Sequence, residues 1–362
     1  MTSKERVLLA INHKEPDRVP LDFYATPEVW QKLREFLRVD DNEGVLQHFQ
    51  IDFRFVEPSY KGLRENISCD FDIYSKQHKF TDGTWEDFWG IRYKPQKYNK
   101  GFYDEVCFYP LAKAETVEDI ENYLWPSTYW FNYSNISKDC ERYKDYAIYT
   151  GWPSIFQLAQ SLYSMDRLLL DLALKPELVK ALFAKITDFY CEWLRRTLKS
   201  ASGKIDLVNI SDDLGTQKGL LISREMFQEF VAPYWQRIIK ICKDFRVKIW
   251  LHSCGSIRDL IPDFIELGID MLDPVQVSAE GMVPKELKKL FGDKIAFHGA
   301  IDTQQVLPHG TVEDVKKEVR QRIKELAAGG GYVLLPVHAV QPDVPLENIL
   351  AVYETALTEG RY

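Results

Sequence analysis

The sequence has no run of about 18 apolar residues, which argues against a membrane-spanning helix. It has no basic surplus either: 46 Lys and Arg stand against 54 Asp and Glu, for a net charge of -8 with both signs interspersed. A nucleic-acid surface would show a basic stripe, so that class of partner is not expected. The six cysteines (Cys69, Cys107, Cys140, Cys191, Cys242 and Cys254) have no paired spacing, and reduced thiols are expected instead of a disulfide framework. No Gly-x-Gly-x-x-Gly or Gly-x-x-x-x-Gly-Lys follows the first expected strand, which removes the usual nucleotide-binding motif. Residues 1–13 read as a charged amphipathic helix without the apolar core of a signal peptide, so a cytoplasmic location is expected.

What is present is a chain of 362 residues, 45% hydrophobic, long enough for one large α/β barrel or two ordinary domains. Apolar strand patterns fall near residues 20, 54, 148, 209, 250, 273, 296 and 334, each followed by a helical stretch. Eight such repeats predict an α/β fold of the (β/α)8 TIM-barrel type, with active-site residues where the strands end. A doubly wound open sheet is the alternative. The domain expectation is a single barrel spanning 1–362. Within it, residues 62–130 break the rhythm with aromatics and turns. Asp82-Gly83 signals a hairpin there, and the segment reads as an aromatic-rich β-hairpin insertion after the second strand. It is expected to form a lid, in which Trp85 and Trp89 wall a substrate pocket.

The stretch Val247 to Gly255 runs a buried strand straight into His252 and Cys254. Their i, i+2 spacing points both side chains to one face, as two ligands of a zinc site. His338, just past the last strand, is the expected third ligand, with His298 competing; alternatively His298 is a hydrogen-bonded loop residue. Two imidazoles and a thiolate with an open fourth position suit catalytic zinc. Other strand ends bring Tyr24, Trp152, Gln276 and His298 as substrate-binding candidates and Asp212, Asp213 and Asp302 as acid/base candidates. One of the Asp212-Asp213 pair can equally cap the next turn.

Gly151-Trp-Pro-Ser154, Ser223 to Tyr234, Leu251-His-Ser-Cys-Gly255, Phe297-His-Gly-Ala-Ile-Asp302 and Pro345 to Ile349 together make the chain resemble the uroporphyrinogen decarboxylase superfamily. Within it, the similarity is to the branch that includes zinc-dependent corrinoid methyltransferases. The resemblance implies a (β/α)8 barrel, and zinc held by His252, Cys254 and a residue after the last strand. In that branch the last ligand is a cysteine, where this chain has His338. It further implies a corrinoid cofactor, free or on a partner protein, and transfer of methyl between it and a small molecule. That molecule is either a thiol acceptor or a methoxylated or methylated donor, with Asp212 or Asp302 giving a proton to the leaving group. Two alternatives stay open. One is decarboxylation of a tetrapyrrole or small carboxylic acid, with Asp213 and His338 as acid and base. The other is a non-catalytic corrinoid- or tetrapyrrole-binding module. The arginine-rich segment of the decarboxylase proper is reduced here to Arg18 within Arg18 to Pro27, which disfavours a substrate with eight carboxylates.

Overall fold

The computed structural model describes residues 1–64, 77–98 and 101–362, together with the backbone of 70–72. Its centre is a curled, seven-stranded, all-parallel sheet in chain order. The strands are β1 (Phe53–Phe55), β2 (Ala147–Gly151), β3 (Leu207–Ser211), β4 (Lys248–His252), β5 (Met271–Asp273), β6 (Ala296–Ile301) and β7 (Tyr332–Pro336). Helices on the outside cover it, so the arrangement is α/β and TIM-barrel-like. Strands buried on both faces carry near-continuous apolar runs, and all residues of β3, β6 and β7 are buried.

The expected strand near residue 20 is not a ladder strand. It spans the gap between β7 and β1 through single bridges: Leu21 pairs with Leu334, and its carbonyl accepts from the Asp52 N–H. The reason is part local and part tertiary. Pro20 has no N–H to donate, and the Leu21 N–H goes to the Asp52 carboxylate at 2.8 Å instead of to a backbone carbonyl. The other seven expected strands are present. After β2 the helical stretch is divided at Ser164, whose φ of 76° lies outside the helical range, into Phe156–Tyr163 and Met165–Leu174.

Side-chain alternation sorts the barrel interior into layers. At the strands' N-terminal end Phe53, Ala147, Leu207, Trp250, Met271, Ala296 and Val333 close on Val7 and Ile11 of helix Ser3–Ile11, which plugs that end. The plug is fixed by ions. Asp52, fully buried, binds Arg6 at 2.7 Å and Arg18 at 2.8 Å. The one arginine of the segment 18–27 is therefore bound at the end remote from the strand C-termini, unavailable to a ligand there.

Between β1 and β2 the chain adds a two-stranded and a five-stranded antiparallel sheet, the latter running from Asp70–Asp72 to Gly101–Phe108. Gln77–Lys79 and Trp85–Glu86 pair across a turn at Asp82-Gly83. Cys69 lies outside the described residues; the other five cysteines are free. No described helix is long and apolar enough to cross a membrane.

Candidate metal centre at the strand C-termini

Three strand ends build the site. β4 delivers His252, and the loop after it delivers Cys254. The Cys254 Sγ lies 3.5 Å from His252 Nε2. Asp213, two residues past β3, places Oδ1 3.8 Å from the same nitrogen and accepts the Cys254 N–H at 2.9 Å. Ligand atoms of Asp213, His252 and Cys254 all fall within 4.8 Å of one another, and they form the one such His/Cys/Asp/Glu group among the described residues. Gly255 makes the turn possible. Its φ is +92°, and a Cβ there would sit 2.5 Å from the Gly215 backbone.

Behind His252 stands Asp273, the last residue of β5. Its Oδ2 meets His252 Nδ1 at 2.6 Å and its Oδ1 meets His298 Nδ1 at 2.8 Å. Burial alone would raise this carboxyl's pKa, but the charges of and hydrogen bonds from His298 and His252 outweigh it and hold it well below the ordinary carboxylate range. The same contacts act on the imidazoles against the opposing cost of burial. His298 is pushed up to about 9 by Asp273 and Asp22, and His252 is raised well above its usual value. Burial pushes the Cys254 thiol up, with partial relief from His252.

The donor set fits zinc. Carboxylate, imidazole and thiolate are its ordinary protein ligands. At Zn–S of about 2.3 Å and Zn–N of about 2.0 Å, two ligands at a tetrahedral angle stand about 3.5 Å apart, the separation found between Cys254 and His252. An Nδ1–H donated to Asp273 leaves Nε2 as the free donor, the usual carboxylate–histidine support of a metal ligand.

The cluster opens into a cavity of ≈ 200 Å³ lined by residues that include Asp22, Tyr24, Tyr149, Trp152, Asp213, Trp250, His252, Asp273 and His338. A wider groove between helices 232–244 and 261–267 shares none of these residues. Trp152 reaches the cavity because Gly151, at φ +123°, turns the chain where a Cβ would lie 2.4 Å from the Asn209 carbonyl. Its ring then lies 6.0 Å from His252 and 6.5 Å from Tyr24, centroid to centroid.

The candidate residues thus divide. His252, Cys254, Asp213, Tyr24, Trp152 and His338 meet in one place, with His338 at the solvent side of the cavity and outside the tight donor group. Loss of water around the His338 ring and the charge of His252 lower its pKa. His298 is fully buried between Asp273 and Asp22, as a brace behind the site rather than a ligand in it. Asp212 is turned away from the cavity. It accepts hydrogen bonds from Ser154 Oγ, the Ile155 and Gln157 N–H groups and Trp235 Nε1, so it caps the start of helix Phe156–Tyr163. Burial raises its pKa to about 6. Asp302 caps its own turn through the Gln304 and Gln305 N–H groups, and Gln276 accepts the Gly255 N–H, steadying the cysteine loop.

Trp85 and Trp89 lie elsewhere than the expected pocket wall. Trp85 stacks on Tyr93 at 4.2 Å and Trp89 packs on Phe189 at 4.8 Å, because each ring finds apolar partners in its own sheet or beneath it. The wall is made instead by Tyr24, Tyr149, Trp152 and Trp250. Sequence reasoning missed Asp273, Tyr149 and Trp250, although each is in phase with an inward-facing neighbour: Asp273 with Met271, Tyr149 with Ala147, and Trp250 with His252.

A TIM-barrel-like α/β fold with a metal-competent His-x-Cys group at its strand C-termini is the class that fold and site define. The family model described as uroporphyrinogen decarboxylase (URO-D) matches residues 134–358, well over half of the 362, and the chain belongs to that family. It is 27% identical over 150 residues to the methylcobamide:CoM methyltransferase MtaA of Methanosarcina barkeri, covering 41% of this chain and 40% of the relative. To a uroporphyrinogen decarboxylase of Syntrophotalea carbinolica it is 23% identical over 177 residues, covering 48% and 46%. The chain spans less than half the length of these curated relatives. A solved methyltransferase from Methanosarcina mazei shares the fold over 99% of both chains, with a TM-score of 0.64 at 17% identity.

Proposed function

We propose that the protein is a zinc-dependent methyltransferase, moving a methyl group between a corrinoid, free or on a cytoplasmic partner protein, and a small-molecule substrate. The observation that carries the reading is the Asp213–His252–Cys254 group, braced by Asp273 at the edge of a small cavity. Asp213, His252 and Cys254 would hold a zinc ion, which would supply a Lewis acid to lower the pKa of a substrate thiol or other ionisable acceptor. The chain's own residues hold and orient. Asp273 fixes the ring plane of His252, Gln157 Nε2 holds the second Asp213 oxygen at 3.1 Å, and Gln276 steadies the turn after Cys254. His338, at the cavity's solvent side with its pKa lowered, is placed to take or return the substrate's proton. The rings of Tyr24, Tyr149, Trp152 and Trp250 line the cavity beside the reacting groups.

The segment 62–130 is assigned as an inserted cover over this end of a single barrel domain. In support, Tyr98 Oη bonds Gln341 Oε1 at 2.5 Å, so the sheet's tip touches the loop after β7, two residues beyond the cavity-lining Ala339. The family's decarboxylase members keep a second reading in view. The cavity's lining opposes it: carboxylates of Asp22, Asp213 and Asp273 face inward, and no lysine or arginine is among the lining residues to bind a polycarboxylate.

The test is zinc content and methyl transfer from methylcobalamin to thiols, in the parent protein and in Cys254→Ala, Asp213→Ala and His338→Ala. About one zinc per chain is expected, lost with Cys254→Ala and weakened more by Asp213→Ala than by His338→Ala. Absence of zinc from carefully handled protein refutes the reading. The reverse order of the two weaker variants would make His338 the third ligand.

A further inference from the structure

We propose that Trp152 is the size gate of the cavity, a specificity-determining residue that admits compact substrates to the Asp213–His252–Cys254 group and keeps out those with a ring at the reacting end. The proposal rests on the methyl-transfer reading only for which substrates are concerned, since access to the group is measured apart from metal and turnover.

Three observations converge. The first is a backbone that does not suit its residue. Trp152 has φ +97°, the most positive of any non-glycine among the described residues, and this lies beyond the left-handed window of about +50 to +70° open to an L side chain. Pro153 follows, and the residue before a proline is pushed toward extended backbone with negative φ. Neighbouring bonds hold the conformation: the Trp152 N–H donates to the Asn209 carbonyl at 3.1 Å, and the Pro153 carbonyl accepts the Ser211 N–H at 2.9 Å. Strain of this kind persists only where the surroundings enforce it, and glycine would carry none of it. The second observation is that core packing does not explain the ring, because Trp152 is only half-buried. What the ring does stand beside is the site: its centroid is 6.0 Å from that of His252 and 6.5 Å from that of Tyr24, which is 53% exposed. It thus lies next to a candidate metal ligand and next to the solvent-facing wall. The third observation is size. The cavity's ≈ 200 Å³ falls below the roughly 300–1,000 Å³ of ordinary small-molecule pockets. Among the residues that line it, Trp152 alone has a positive φ. The strained indole narrows the space beside His252, and a role in the cavity accounts for keeping it there.

Cys254 Sγ, 3.5 Å from His252 Nε2, reports access to the group, and the exposed Cys107 is the reference thiol in the same molecule. The probes are methyl methanethiosulfonate and its benzyl counterpart, reacted with chelator-treated protein and scored at each cysteine by peptide mass spectrometry. Each reagent passes its thioalkyl group to the thiolate with loss of methanesulfinate, so the benzyl-to-methyl rate ratio at one cysteine cancels that thiol's own acidity. In the parent protein the ratio at Cys254 is expected to be about tenfold or more below that at Cys107, the order of discrimination a shaped apolar wall provides. Trp152→Gly and Trp152→Ala should bring the two ratios within about threefold of each other, and Trp152→Phe should keep most of the difference. In urea unfolding, Trp152→Gly should have a higher midpoint than Trp152→Ala, the reverse of the usual order of glycine and alanine. Equal ratios at Cys254 and Cys107 in the parent, a difference that survives Trp152→Gly, or an alanine variant more stable than the glycine one would each overturn the proposal. The parent ratios decide the matter even if the small variants fail to fold. Gating as expected in a protein that binds no zinc and moves no methyl group would leave the gate standing and sink the proposed activity. Methyl transfer to benzyl mercaptan as readily as to ethanethiol would do the opposite.

Discussion

Asp273→Asn is the sharpest perturbation of the site, because one carboxylate holds two imidazoles. The parent side chain, 3% exposed, accepts from His252 Nδ1 at 2.6 Å and His298 Nδ1 at 2.8 Å. Asparagine keeps the shape but has one acceptor oxygen, and its amide turns donor against donor toward the other ring. At least one hydrogen bond to a charged group is lost, each worth about 1.5–3 kcal/mol, and one ring N–H is left buried and unpaired. Fold stability in the absence of metal should fall by about 2–4 kcal/mol. Zinc affinity should fall by about 10- to 100-fold, the usual cost of removing the partner that orients a ligating histidine. Urea unfolding of chelator-treated protein and zinc competition against a chromogenic chelator read the two effects separately. Parent-like zinc affinity in a folded variant would refute the idea that Asp273 sets the His252 donor atom.

Two further outcomes are expected. Asp212→Ala should destabilise by about 3 kcal/mol or more in urea unfolding, since it orphans several buried donors at the start of helix Phe156–Tyr163, yet leave the zinc bound per folded molecule unchanged. A fold of parent stability would show that those donors find water instead. The His298 pKa rises from 6.5 unfolded to about 9 folded, so the stability it contributes is fully present below pH 6.5 and is lost as pH rises through about 9. At about 1.4 kcal/mol per pH unit the loss amounts to ~3 kcal/mol. The midpoint of urea unfolding of metal-free protein should fall between pH 6.5 and 9, and that fall should be smaller in His298→Gln, where His252 still titrates against Asp273. An identical fall in the variant would assign it to another group.

The strand and helix rhythm was legible because its two signals are local: apolar runs of strand length, and caps and breaks between them. The segment near residue 20 shows the limit. Its apolar pattern is that of a strand, but Pro20 and the Asp52 carboxylate take the positions a ladder would need. The His252–Cys254 pair was legible from its i, i+2 spacing at a strand's end, although Cys254 lies in the loop after β4, where the Gly255 turn sets its place beside His252. The identity of their neighbours was not, because Asp213, Asp273 and His338 lie on other strand ends, and the closeness of separate strands is set by sheet register rather than by sequence distance.

The sequence by itself therefore determined the alternation of strand and helix, the placement of ionisable groups at strand ends, and the inward pairing of His252 with Cys254. The tertiary structure decided which of several similar residues does what. Asp212 and Asp213 are adjacent in sequence, but alternation sends one to the helix behind the sheet and the other to the cavity. Trp85 and Trp89 look as suited to a pocket as Trp152, but burial against other rings satisfies the first two, while the positive φ at Gly151 and Trp152 swings the third toward His252. Chain-local chemistry sets the menu of side chains and the face each one takes. Only the packing of distant segments sets which side chains share one cavity.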